Sequence, residues 1–390
     1  MSSYISSNAN RFYTALESAY GNVPAITAGN RIPALKLAVK QQREVPGRRD
    51  KTGSRTFAGL PFGGRLKTAF ELQTYMTSWQ KSAGAPGYGP LFQAALGGAP
   101  QTWAGAAITS ATPDGKVGFS APHGLSAGQA VASAGEIRFV AAIIDASNVQ
   151  LNVPFTTPPA AGSSLAATVT YAPATELPSV SIFDFWSPAT AVQRLLCGAG
   201  IDQMEIAING DYHEFHFSGI GQDVVDSSSF SGNVGELQAF PQEPAIGPFD
   251  YSIVPGNMGQ AWLGTSPSQF FTVTNATVAV RNNLDARTRE FGSNVPRALS
   301  PGEREVTAAF DLFSQDDEAT TALYQAARQQ SPVTVMFQLG QVGGQLMGVY
   351  LKSVIAEVPE FHDGKARLEW RFRPSRGQGT IDDEIVVAFA

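Results

Sequence analysis

The sequence predicts a mainly β protein: two tandem copies of one strand-rich unit, each with a flanking helix, and a small β-barrel module inserted into the first copy. Three observations predict it. Val278-Ala279-Val280-Arg281, a long polar loop and Thr307-Ala308-Ala309-Phe310-Asp311-Leu312 repeat an earlier Leu37-Ala38-Val39-Lys40, loop and Thr68-Ala69-Phe70-Glu71-Leu72. The spacing is 32 positions from Val278 to Phe310 and 33 from Leu37 to Phe70, and such repetition marks a duplicated unit. The 39 glycines and 25 prolines supply turns throughout, as an all-β architecture requires. The third observation is length, since 390 residues exceed the usual domain of about 100–200.

Residues 1 to about 30 are small and polar and read as an arm ordered by a partner. Leu35, Leu37 and Val39 then alternate with Lys36, Ala38 and Lys40, the period of a half-buried strand. Arg43 to Arg65 is too long for a tight hairpin, and loops of that length are usually functional. Within it, Gly59 to Leu66 has the glycine spacing of a phosphate loop, but Arg65 and Leu66 replace the required Lys and Ser/Thr, and a strand follows in place of a helix. Thr68, Phe70 and Leu72 form the buried face of that strand, opposite Glu71 and Gln73. Pro90 starts a helix that Gly97-Gly98 stops.

From Ala104 to about Ala172 the texture changes to short runs such as Glu136 to Val140 and Val149 to Val153, separated by Gly, Pro and Asp-Gly turns. This reads as an inserted module that projects outward and is dispensable. The first copy resumes with Val180 to Phe183 and a hairpin, Met204 to Ile208 and Tyr212 to Phe217, around Asn209-Gly210-Asp211. A Ser-, Gly- and Pro-rich linker covers about Asp223 to Leu263. In the second copy Ser314 and Asp317 have capping-box spacing, and Ala319, Ala322, Leu323 and Ala326 share a helical face that ends at Ser331-Pro332. Strands follow at Val333 to Leu339, Leu346 to Val358, Ala366 to Phe372 and Ile385 to Phe389. The expected divisions are 1–104 and 173–248 for the first unit, 105–172 for the module and 249–390 for the second unit.

Composition narrows the function. Hydrophobic residues make up 43% and charged residues 15%, which suits a protein that covers its surface by self-association. The net charge of −6 argues against a nucleic-acid binder with a basic footprint. Cys197 is the one cysteine, so neither an intrachain disulfide nor a cysteine metal cluster is expected. The opening Met1-Ser2-Ser3-Tyr4-Ile5 lacks a basic then apolar leader, and no apolar run reaches about 18 residues, so the chain is expected to be cytosolic at synthesis with no membrane anchor.

Catalytic chemistry is sought without result. His213 and His216 bracket Glu214 near Asp211, but strand geometry places the two histidines on opposite faces. His123 and His362 stand before turn glycines, and no nucleophile motif accompanies Cys197 or any serine. No enzyme activity, cofactor or metal is expected.

The order strand, long loop, strand, helix, strand, hairpin in both copies, with Asp382-Asp383-Glu384-Ile385 leading into a last strand, resembles the tail tube (major tail) proteins of long-tailed bacteriophages. The inserted module, with His123-Gly124-Leu125 and Gly128, is similar to small β-modules carried by some phage tail proteins. With the duplication, the resemblance to two-copy tube proteins implies a homotrimeric ring with pseudo-sixfold symmetry, stacked into a tube and located in the virion tail after assembly in the host cytoplasm. It implies tape-measure, tail-terminator and baseplate or tip proteins as partners, and DNA that passes through during genome ejection without specific binding. Arg48, Arg49, Asp50, Arg287, Arg289 and Glu290 are then inter-ring loop candidates, and Lys36, Lys40, Glu71, Gln73, Arg281, Asp311, Gln338, Arg367 and Glu369 channel-lining candidates. Alternatives from other classes are the inner tube of a contractile injection particle and a carbohydrate-binding or glycan-cleaving β-protein.

Overall fold

A computed structural model describes residues 4–44, 51, 53–56, 59, 64–79 and 85–390. Unit 1 opens with β1 (Asn10–Leu16), β2 (Arg31–Ile32), β3 (Ala34–Arg43), β4 (Leu66–Tyr75) and α1 (Gly89–Leu96). The module contributes β5 (Gln101–Trp103), β6 (Ile108–Ala111), β7 (Lys116–Phe119), β8 (Ala130–Ser133), β9 (Glu136–Asp145), β10 (Asn148–Leu151) and β11 (Thr168–Tyr171). Unit 1 ends with β12 (Val180–Trp186), β13 (Arg194–Ile208), β14 (Glu214–Gly221) and β15 (Asp223–Asp226). Unit 2 follows with β16 (Gly259–Gly264), β17 (Ser268–Gln269), β18 (Val273–Arg281), β19 (Asp285–Ala286), β20 (Leu299–Ser300), β21 (Glu305–Phe313), α2 (Glu318–Gln329), β22 (Val333–Leu339), β23 (Met347–Val354), β24 (Glu360–His362), β25 (Glu369–Gln378) and β26 (Val386–Phe389).

The two units share one pairing scheme. An inner antiparallel sheet runs β3–β4–β14–β13 in unit 1 and continues as β18–β21–β25–β24 in unit 2. Behind it stand two outer sheets, β1–β12–β13–β15 and β16–β22–β23–β26. Each inner sheet alternates apolar and polar residues, and the apolar faces meet the outer sheets and helices in one core. Phe92 of α1 meets Phe215 and Phe217 edge-on, and Phe310 stacks on Phe372 at 4.6 Å. The expected hairpins are both present, but the register differs: Leu37 pairs with Leu72, whereas Val278 pairs with Ala308. The slip is even, so both strands keep their faces.

Several expectations are corrected. Residues 10–16 are no partner-dependent arm, because β1 pairs with β12 along its whole length, Asn10 with Trp186 through Leu16 with Val180. Phe12 and Tyr13 are both buried, on opposite faces of the strand, so the alternation that reveals a strand is missing. Asp317 is itself the N-cap of α2, accepting from the Thr320 N–H at 2.7 Å. The buried stripe is therefore Thr320, Leu323, Ala326 and Ala327, with Ala322 exposed to solvent. The linker holds β15 and β16 at its ends and crosses unit 1 between them. Glu243 in that crossing accepts from Arg11 Nε and Nη2 at 2.5 and 2.7 Å and from Tyr13 Oη at 3.0 Å.

The module does not project freely. Its sheet, β6–β7–β10–β9–β8, has its own core of Ile108, Val117, Phe119, Val131, Val149 and Leu151. Its stem strands extend the outer sheet of unit 2 in the order β26–β11–β5. The outward faces of the two outer sheets correspond in register. Tyr13, Phe183, Leu195 and Val225 pair in sequence across unit 1, as Trp262, Met336, Tyr350 and Val386 do across unit 2. The linker and the stretch before β2 cover the first row with Val23, Ile26, Phe230, Val234, Leu237 and Phe240. The module covers the second with Ala130, Ala132, Ile137, Phe139 and Val153.

Candidate assembly surfaces

The face of the inner sheet turned away from the core is polar. Lys36, Lys40, Glu71 and Arg281 are exposed on it, Gln73 lies beside His216, and Asp311 is half-buried beside Arg371. Burial, reinforced by the charge of Glu369, pushes the Asp311 carboxyl above its ordinary value. Glu369 shares this face but is buried, accepting from Thr274 Oγ1 at 3.1 Å and Arg371 Nη2 at 2.9 Å. One candidate lies elsewhere, and another reaches the face only from a turn. Gln338 is 1% exposed under the module, where Oε1 accepts from Ile137 N at 3.0 Å and Nε2 donates to Gly135 O at 3.0 Å. Arg367 precedes β25 in a turn, with its guanidinium 3.8 Å from the centre of the Phe313 ring. Sequence reasoning missed Gln203, Glu205 and Glu305 on the same face, where their alternation with Met204, Ile206 and Val306 was the available signal; Arg371 and Arg373, whose alternation with Trp370 and Phe372 the sequence does show, also lie on it.

Acids and bases interleave on this surface. Arg371 pairs with Glu369 at 2.9 Å, Arg373 pairs with Glu360, and His216 approaches Glu214 at 3.2 Å. Such a wall gives a phosphate backbone no continuous row of cations to neutralise.

The lateral edges are the second surface. Among the described residues β3 pairs with β4 alone and β24 with β25 alone, so both ends of the inner sheet are open. The internal junction shows how such edges join: β13 meets β18 with Gln203 opposite Arg281, Met204 opposite Val280 and Ile206 opposite Val278. Met204 pairs with Phe217, which pairs with Leu72; Phe361 pairs with Trp370, which pairs with Leu312. Phe361 is therefore the counterpart of Met204. Met204 is 0% exposed against the next unit, while Phe361 on the open edge is 56% exposed.

Of the loop candidates, Arg48, Arg49 and Asp50 lie outside the described residues. The loop after β18 carries the β19–β20 hairpin, an ion pair between Arg287 and Glu290, and an exposed Arg289. It is tied to its own chain: Leu66 N donates to Asn294 O at 2.7 Å, Leu284 N to Asp202 Oδ1 at 2.7 Å and Gln222 Nε2 to Pro296 O at 3.2 Å. A partner is not needed to order its root. Its tip carries Phe291, fully exposed.

Among the described residues no three His, Cys, Asp or Glu side chains converge as a metal site, and no helix is long and apolar enough to cross a membrane. His213 is buried, with Nε2 3.1 Å from Met258 O and Nδ1 without a partner. Burial lowers its pKa, so the folded chain resists protonation there. Stability should be complete above the unfolded histidine value of about 6.5 and fall as the pH drops below it. In denaturant melts from about pH 7.5 to about 5.5, wild type should lose stability relative to His213→Asn. A difference that stays constant with pH would show that His213 does not resist protonation.

Comparison with known proteins gives little. No family model matches the chain, and no curated protein matches it. Among solved structures, the SPP1 tail tube aligns with a TM-score of 0.27 and 15% identity, over 33% of this chain and 81% of that one. At that score the likeness decides nothing about fold or function.

Proposed function

We propose that this protein is the structural subunit of a phage tail tube, three chains closing a pseudo-sixfold ring and the rings stacking around a channel for DNA. The observation that carries this is the edge match. The chain joins β13 to β18 internally and offers the counterparts of those same strands, β24 and β3, at its two ends, each with its outer edge unpaired among the described residues. Exposed edges template pairing. Because the two ends differ, the contact is head to tail, and it produces a ring when the rotation closes. The covered outer sheets then face outward, and the polar inner face lines the lumen. Its interleaved charges would let phosphates pass without being held. Tape-measure, terminator and tip proteins would meet the ends of the stack.

Phe361→Asp tests the lateral contact. The side chain is already largely exposed in the single chain, so the fold should survive, whereas a carboxylate at a strand junction facing apolar residues should block pairing. Negative-stain images of wild type should show rings or tubes, and of the variant only single particles, with a melt that stays cooperative and falls only by the loss of the Phe361 stack on Trp370. Rings formed equally well by both would remove β24 from the interface, and absence of rings from wild type at high concentration would remove the tube reading.

A further inference from the structure

We propose that the inserted module is a clasp that sets the angle between the two units and so the number of units that close a ring. This rests on the tube reading. The module grows from unit 1, between α1 and β12, and its stem touches α1 there through Tyr171 and Phe92, yet its sheet docks on unit 2. Its stem strand β11 pairs with β26, Val169 with Phe389 and Tyr171 with Val387. Phe139 stacks on Tyr350 at 5.3 Å and 19°.

A buried polar knot lies at the contact. Arg138, 0% exposed, donates to Gln260 Oε1 at 2.9 Å, Gln338 Oε1 at 3.1 Å and Pro154 O at 2.8 Å, and pairs with Glu136 at 3.0 Å. Gln260 in turn donates to Glu136 at 2.8 Å. Apolar faces slide at little cost, but a buried ionic network has one arrangement in which every partner is met. Gly135, with φ +82°, brings the turn so close that a Cβ there would lie 2.1 Å from Gln341 O. The knot is keyed to unit 2 by both charge and shape.

The second unit has no such device. Where unit 1 inserts residues 97–179 between its helix and next strand, unit 2 has only Gln330, Ser331 and Pro332. A ring built by the strand pairing above would alternate two junctions: one inside each chain, spanned by the module, and one between chains, without a module across it. The clasped junction is rigid, and the open one adapts.

Arg138→Met and Gly135→Ala attack the clasp from opposite directions, one by removing the charge and the other by wedging the contact open. Both leave β24 and β3 untouched. Each chain should still associate, but electron microscopy should show arcs and rings of mixed diameter, with the closed fraction reduced severalfold, where wild type gives one diameter. Small-angle scattering of the same variants in a Phe361→Asp background should show a broadened distance distribution for the unassembled chain. Wild-type ring diameter together with an unchanged scattering profile in both variants would overturn the clasp. Should wild type form no rings, the tube reading fails and scattering alone decides the clasp, a broadened profile supporting it and an unchanged one overturning it.

Discussion

Excising the inserted module should leave a chain that does not fold cooperatively. Trp103 and Thr168 face each other across the stem, so residues 104–167 can be replaced by a two-residue turn without strain at the join. What remains loses Ala130, Ala132, Ile137, Phe139 and Val153, the cover over Trp262, Met336, Tyr350 and Val386. Burial of a large side chain contributes about 1.5–3 kcal/mol, so uncovering four costs roughly 6–12 kcal/mol as an upper estimate. The whole stability of a domain is about 5–15 kcal/mol. The exposed row would also form an apolar patch of the kind that drives aggregation. Thermal melts and soluble yield measure the effect. A soluble excised chain that melts within a few degrees of wild type would restore the reading of the module as a dispensable appendage.

Glu17→Ala should destabilise unit 1 by about 2–6 kcal/mol, the cost of leaving two buried N–H groups unpaired. Glu17 is 7% exposed and accepts from four donors: Ser179 Oγ and Ser181 Oγ at 2.6 Å, and the Gly21 and Gly198 N–H groups at 2.7 Å. It joins the end of β1 to β12 and β13. The two hydroxyls can turn to other acceptors, but the two amides cannot. Each carboxylate oxygen takes one amide, Oε1 that of Gly198 and Oε2 that of Gly21. Glu17→Gln must therefore aim its NH₂ at one N–H, and should cost about half as much as Ala. Urea melts that place Gln at or beyond Ala, or Ala within about 1 kcal/mol of wild type, would remove Glu17 as the tie.

Much of the inner sheet was legible because one of its faces is wet. Thr68, Phe70 and Leu72 alternate with exposed Lys67, Ala69 and Glu71, and the burial follows that pattern. Helix α1 was legible from its ends, Pro90 in the first turn and Gly97 at φ +97°. The outer sheets were largely hidden. β1 and the first half of β13 are buried on both faces, since a second layer covers them, and alternation vanishes where both sides are dry. The same second layer explains why Gln338 misled. A polar side chain on a strand reads as facing water, and this one meets buried Arg138 of the module. Docking of that kind depends on the meeting of two surfaces distant in sequence, which no local period encodes. Phe361 was visible only as an apolar residue near a turn; its weight comes from its correspondence with Met204, and that requires the pairings.

The placement of β26 has a consequence for synthesis. Val169 of the module stem pairs with Phe389, and at translation speeds of about 5–20 residues per second the first waits roughly 10–40 s for the second to emerge. During that interval unit 1 can assemble its sheets, but the module stem has no edge to join and unit 2 has no finished outer layer. The clasp can lock only once β26 has left the ribosome. If ring closure needs a fixed angle between the units, nascent chains crowded on one messenger are poor substrates for one another, and polymerisation is deferred until β26 has emerged. Timing that an assembly factor would otherwise supply is written into strand order.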